Sequence, residues 1–224
     1  MTTTTHPKTT KAYKGMAMEG SIARWYAKTA RRDAEFKTLA AKVKETVPAG
    51  GYVLEVAPGP GFLSIEIAQL GKYHVTGLDI SKTFVEIAQA NAREANVSVD
   101  FRQGNASDLP FANDTFDFII CTAAFKNFTQ PVQAIAEMQR VLKPGGRALI
   151  VDLRRDASRA EVYRMVADMH LSWWNTLFTR WAFRFMLLKN AYTPEEIRKM
   201  VAQTPFKQCE IRTDQIGMEI WLTK

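Results

Sequence analysis

Cysteine and histidine are scarce in this chain of 224 residues, which holds two of the first and three of the second. Cys121 and Cys209 form at most one bridge, and neither has a Cys or His neighbour at metal-ligand spacing. A disulfide scaffold and a zinc site are therefore set aside, no metal is expected, and the count suits a reducing, cytoplasmic setting. Long apolar runs are missing too. Lys8, Lys11 and Lys14 are followed by none, so the first 20 residues lack the core of a secretory signal and contain nothing to span a bilayer. Arg is absent from the same stretch, which argues against a transit peptide. Residues 1–16, rich in Thr, read as a disordered tail. The most apolar segment, 171–188, is interrupted by Arg180 and Arg184 and is short for a membrane span.

What is present is ordinary globular material, with 46% hydrophobic and 24% charged residues, enough for one well-cored domain with appended lids. The formal net charge of +7 is unevenly placed. Residues 1–50 hold 10 basic and 4 acidic side chains, residues 51–153 hold 8 and 11, and residues 154–224 hold 12 and 8. The middle is acidic and the flanks basic, so the charge favours lids that meet an anionic acceptor or surface over a nucleic-acid-binding body.

Apolar residues at three- and four-residue intervals predict an amphipathic helix over 22–47, stopped by Pro48, Gly50 and Gly51. Then β-rich runs at 52–56, 73–78, 97–101, 116–121 and 147–151 alternate with helical stretches at 62–70, 82–96 and 131–142. Such alternation predicts a parallel, doubly wound α/β sheet. Ser81 caps one helix, Lys143-Pro144-Gly145-Gly146 stops another, and Thr193-Pro194-Glu195-Glu196 carries a capping box. Runs at 207–212 and 218–222 read as a terminal hairpin. The predicted fold is a Rossmann-like doubly wound seven-stranded sheet, mostly parallel with a terminal antiparallel hairpin, plus a helical lid. The division is a tail over 1–16, an N-terminal lid helix over 17–50, a core over 51–156 and 191–224, and an aromatic-rich lid insert over 157–190. The insert, with Trp173, Trp174, Phe178, Trp181, Phe183 and Phe185, reads as a buried lid or as a membrane-surface helix over 171–188.

The most informative stretch is Val53-Leu54-Glu55-Val56-Ala57-Pro58-Gly59-Pro60-Gly61-Phe62. Small residues fall where a strand ends and a helix begins, which exposes backbone amides and lets a ligand approach the main chain. A dinucleotide loop of the G-x-G-x-x-G kind wants glycine at Ser64, so the spacing is instead Glu-x-Ala-x-Gly-x-Gly. This resembles the first motif of class I S-adenosylmethionine-dependent methyltransferases, with Ala57 at the first glycine. Asp79 after the second strand, Gly104-Asn105-Ala106 after the third, Phe116-Asp117-Phe118-Ile119-Ile120 and Leu142-Lys143-Pro144-Gly145-Gly146 keep the family's order. The resemblance covers residues 53–152 well, and its character is closest to the small-molecule type 11 group of ubiquinone and menaquinone biosynthesis.

The resemblance implies a cofactor, S-adenosyl-L-methionine, leaving as S-adenosyl-L-homocysteine. It places Glu55 on the cofactor's amino-acid end through the loop of Ala57, Gly59, Gly61 and Phe62. Asp79 falls on the ribose, Ile80 and Ala106 on the adenine faces, Asn105 on the adenine edge, and Thr122 near the methyl donor. For an acceptor that must lose a proton, His170 is a candidate base, or else a surface histidine. Tyr26 either lies over the cofactor or is buried by its own helix. Lys126, Asn127 and Asp152 face the ligand edge by topology, or are loop polarity.

The expected activity is methyl transfer to an O, N, C or S nucleophile of a small aromatic or apolar acceptor. An RNA or DNA methyltransferase is the alternative, opposed by Cys121-Thr122-Ala123-Ala124-Phe125 where base-methylating enzymes carry Asn/Asp-Pro-Pro-aromatic. An NAD(P)-dependent oxidoreductase is the second alternative, opposed by Ser64 and by the lack of Tyr-x-x-x-Lys. A non-catalytic binding module stays open.

Overall fold

The computed structural model of the chain describes residues 13–14, 18–29, 32–168, 173 and 188–224. Its strands are β1 (Tyr52–Val56), β2 (His74–Asp79), β3 (Asp100–Gln103), β4 (Phe116–Thr122), β5 (Leu142–Leu153), β6 (Gln208–Asp214) and β7 (Gly217–Thr223). They form one sheet in the order β3-β2-β1-β4-β5-β7-β6. The first five are parallel, and β7 runs antiparallel to both β5 and β6. The expected fold class is thus the observed one.

The period of two along each strand sorts the core onto the two faces. On one face Leu54, Val56, Ile119 and Cys121 pack with Ile135 and Met138 of α5 (Pro131–Val141) and Ile197 of α7 (Pro194–Val201). On the other, Val53, Phe118 and Ile120 meet Leu39 and Val43 of α2 (Asp33–Thr46) and Leu63 and Ile67 of α3 (Phe62–Gln69). Phe118, Ile119 and Ile120 are fully buried, and burial of each stabilises the fold by roughly 1.5–3 kcal/mol. A third cluster joins Val85 and Ala88 of α4 (Lys82–Glu94) to Phe101 of β3.

Local signals mostly place the helices. Ser81 Oγ accepts from Phe84 N–H at 3.1 Å, and Thr193 and Glu196 complete the capping box ahead of α7. Three expectations shift. The single helix over 22–47 is two, α1 (Gly20–Thr29) and α2, because α1 packs on α4 while α2 packs on α3 and the sheet. Asp33 and Glu35 supply the acidic first turn that favours a fresh helix start. The third strand lies at Asp100–Gln103 rather than 97–101, since Val97 and Val99 pack against the α4 cluster while Asp100–Gln103 pair with β2. The fifth begins at Leu142, and Lys143-Pro144-Gly145-Gly146 is a bulge inside it, with Gly145 at φ +77°.

Of the insert, α6 (Arg159–Asp168) is described, and most of 169–187 lies outside the described residues. Among the described residues no helix is long and apolar enough to cross a membrane. The strand order reverses at β1, which has β2 on one side and β4 on the other. A crevice opens at the carboxyl ends of strands at such a switch point.

Candidate functional site

The loop leaving β1 is built from left-handed residues: Ala57 at φ +58°, Gly59 at +54° and Gly61 at +80°. Gly61 has no room for a side chain, because a Cβ there would lie 2.6 Å from the Phe101 ring and 2.8 Å from Ala88 Cβ. Gly59 differs, since its Cβ would meet nothing within 4 Å. It presents bare backbone to open space, as a ligand-approached turn requires. Ala57 takes the left-handed conformation despite its β-carbon, as does Ala123 at φ +55° after β4. Two such residues side by side on one sheet edge mark a strained site held by its surroundings.

Asp79 ties this loop to the end of β2. Its Oδ2 accepts from Gly59 N–H at 2.9 Å and its Oδ1 from Ser81 N–H at 2.8 Å. Burial pushes the Asp79 carboxyl above its ordinary value, against the pull of those amides. Capping of α4 falls instead to Ser81 and to Glu19, whose carboxylate accepts from Lys82 and Thr83 N–H at 3.0 and 3.1 Å.

Glu55 sits on β1 beneath the loop, 1% exposed, accepting from Ser64 Oγ at 2.5 Å. Burial pushes it up to about 7, Ser64 works in the opposite direction, and Asp79 adds a smaller upward push. A carboxylate so enclosed, with no ion pair among the described residues, is a place where a cationic group gains from binding. Ile80, just past Asp79, is 41% exposed. Ala106 is half-buried against the core, and Asn105 directs Oδ1 to Ser107 N–H at 3.0 Å, leaving its amide nitrogen for another partner.

A small, open cleft lies beside the loop. It brings together Tyr26, Glu55, Ala57, Phe62 and Thr122 of the expected set, and Arg32, Glu35 and Phe36 from the start of α2. Tyr26 stands edge-on to Phe84, with ring centres 5.9 Å apart. Asp79, Ile80, Asn105 and Ala106 are outside its lining and follow the carboxyl ends of β2 and β3 instead. His170 lies outside the described residues.

Lys126 and Asp152 form a buried pair at the ends of β4 and β5. Lys126 Nζ donates to Asp152 Oδ1 and to Ala123 O, both at 2.7 Å, and Lys126 N–H donates to Asp152 Oδ2 at 2.9 Å. Asp152 is therefore an interior anchor of the loop after β4, whereas Arg154 and Asp156 supply the ion pair of the following turn. Two residues of this edge escaped the sequence reading. Glu19 and Tyr13 reach it across 64 and 114 positions of chain, and nothing local marks either.

A family model described as a methyltransferase domain matches residues 54–150. The ubiquinone/menaquinone biosynthesis C-methyltransferase UbiE of Marinomonas sp. (strain MWYL1) is 35% identical over 128 residues, 55% of this chain and 50% of that protein. The chain spans about half the length of the curated relatives it matches. Among solved structures, a protein from Methanococcus maripaludis with only a provisional assignment as an S-adenosyl-L-methionine-dependent methyltransferase superposes with a TM-score of 0.73 at 20% identity, covering 94% of this chain and 95% of that one. The [4+2]-cyclase SpnF superposes at 0.64 with 18% identity, covering 84% and 80%. A cyclase on the same fold shows that the fold alone does not set the reaction. Residues 54–150, which carry the left-handed loop and the Glu55 and Asp79 carboxylates, are the part of the chain that is similar to the methyltransferase-domain family.

Proposed function

We propose that the chain transfers a methyl group from S-adenosyl-L-methionine to a small, oxygen-bearing aromatic acceptor of the quinol or phenol kind. The carrying observation is the Ala57–Gly61 loop, bare at Gly59 and tied by Gly59 N–H to Asp79. The Asp79 carboxylate suits the ribose hydroxyls, while the exposed Ile80 and the small Ala106 suit the two faces of an adenine. Asn105 Nδ2 suits its edge. Glu55 supplies the charge for an ammonium group through the loop, and Gly61 and Phe62 start α3 against the ligand's tail.

The cofactor class supplies an electrophilic methyl on a sulfonium. What this chain adds is alignment and exclusion of water, since displacement at such a methyl is in line and needs no dedicated base. Thr122 and Ala123 end β4 beside the cleft, and Tyr26 and Phe36 wall it with aromatic rings. When bound, the cofactor would release its methyl by scission of the carbon–sulfur bond, and the acceptor's proton would pass to solvent or to a base such as His170. An aromatic acceptor suits the aromatic insert and the relatives' quinone chemistry.

The test is a labelled-methyl assay with 1,4-dihydroxynaphthalene, simple phenols, amines, thiols and RNA. Label is expected in the dihydroxynaphthalene or phenol. Label in RNA alone, or in none of them, removes the reading.

A further inference from the structure

Tyr13 and Lys14 lie far from the site in sequence and beside it in space. Tyr13 pairs with Phe128 in an isolated antiparallel bridge, Lys14 N–H donates to Asn127 O at 2.7 Å, and Lys14 Nζ donates to the Tyr192 hydroxyl at 2.6 Å. A few residues on, Met18 O accepts from Ser81 Oγ at 2.6 Å, and Glu19 holds the start of α4. One pinned end thus follows β4 and the other follows β2, the two strands that flank β1. The two ends stand on either side of the Ala57–Gly61 loop.

The Tyr13 hydroxyl itself is central. Asn127 Nδ2 donates to it at 2.9 Å. Asp79 and Asp152 close strands three steps apart, roughly 14 Å at the usual strand spacing, and the charges of both oppose its ionisation. The bonds to Asn127 and the bridge to Phe128 set Tyr13 just past β4, at the sheet end where Thr122 and Ala123 line the cleft. A phenol has one proton to give and two lone pairs. Asn127 occupies a lone pair, and among the described residues no group accepts the proton. Burial first, then Tyr26 and the two aspartates, push the Tyr13 phenol above its ordinary value, so near neutral pH it is a donor and not a base.

We infer that Tyr13, oriented by Asn127, donates a hydrogen bond to an oxygen of the acceptor and thereby selects hydroxyl- or carbonyl-bearing aromatic rings over bare ones. The inference rests on the reading of this edge as a methyl-transfer site, and it assigns to the N-terminal segment the polar end of acceptor recognition. Aromatic walls alone accept any flat ring; a single placed donor gives the oxygen its address.

The experiment compares 1-naphthol with naphthalene, the same rings with and without the oxygen. Equilibrium dialysis of the full chain is run with and without S-adenosylhomocysteine. Wild type is expected to hold 1-naphthol about tenfold more tightly than naphthalene. Tyr13→Phe is expected to bring the two within about twofold while leaving the affinity for S-adenosylhomocysteine unchanged. A wild type that shows no preference, or a Tyr13→Phe protein that keeps it, overturns the inference. So does a parallel loss of S-adenosylhomocysteine affinity, which would make Tyr13 a support for the cofactor site. Should Tyr13→Phe fold poorly by circular dichroism, Asn127→Ala decides: the preference must shrink, and an unchanged ratio counts against the proposal. Because no methyl transfer is needed, a failure of the methyltransferase reading shows separately, as lack of label transfer.

Discussion

Replacing Glu55 by glutamine removes a charge and keeps the shape, including an oxygen to accept from Ser64. Burial raises the Glu55 carboxyl from 4.5 to about 7. A shift of that size is worth roughly 3 kcal/mol. The sign follows from proton counting. Between pH about 4.5 and 7 the folded chain holds a proton at Glu55 that the unfolded chain has released, so stability falls as pH rises through this window. Below it the cost is absent, and above about pH 7 it is fully present. Glu55→Gln, free of this cost, is expected to match wild type near pH 4.5 and to exceed it near pH 8.5 by up to roughly 3 kcal/mol, or about 6–12 °C in Tm for a chain of this size. Asp79, also raised by burial, titrates in both proteins and largely cancels from the difference. Urea denaturation at the two pH values measures it. The same substitution is expected to abolish any gain in S-adenosylmethionine affinity as pH rises through 7, because the ionised carboxylate is what an ammonium group would pair with. A Glu55→Gln protein no more stable than wild type at pH 8.5, or shifted equally at both pH values, refutes the reasoning.

Two further substitutions probe the frame around the loop. Ala57→Gly relieves a left-handed alanine at φ +58°, and the relief net of glycine's extra chain entropy is about 0.5–1 kcal/mol of added stability, read by urea denaturation; a loss of stability would mean the Ala57 methyl contributes packing that outweighs the strain. Lys126→Ala leaves Asp152 buried without its cation and is expected to cost about 3 kcal/mol, the low end for a broken buried pair because amides of Lys126 and Leu153 still bond the carboxylate. A cost under about 1 kcal/mol in the same assay would show that the pair is solvated in practice.

Most of the sheet was legible because two-residue alternation and turn residues are local signals. Leu54 and Val56 against Val53, and Ile119 and Cys121 against Phe118 and Ile120, fall on the faces their spacing implies. Tertiary contacts decided where legibility ended. Val97 and Val99 have strand character but pack on the α4 cluster, and the pairing moved to Asp100–Gln103. The break between α1 and α2 has no Pro or Gly to announce it and follows from two different packing partners. At the site, the small-residue loop and Asp79 declare themselves by spacing. Glu19 and Tyr13 do not, since one glutamate and one tyrosine in a polar segment acquire meaning only when the chain returns them to Thr83 and Asn127.

Calorimetric titration with S-adenosylmethionine tests the central claim most directly, run on wild type and on Asp79→Ala. The account predicts one molecule bound per chain and, with the charge-assisted bonds of Asp79 gone, affinity about 100-fold weaker in the variant. Equal affinity in the two proteins, or no binding of S-adenosylmethionine by wild type, would contradict it.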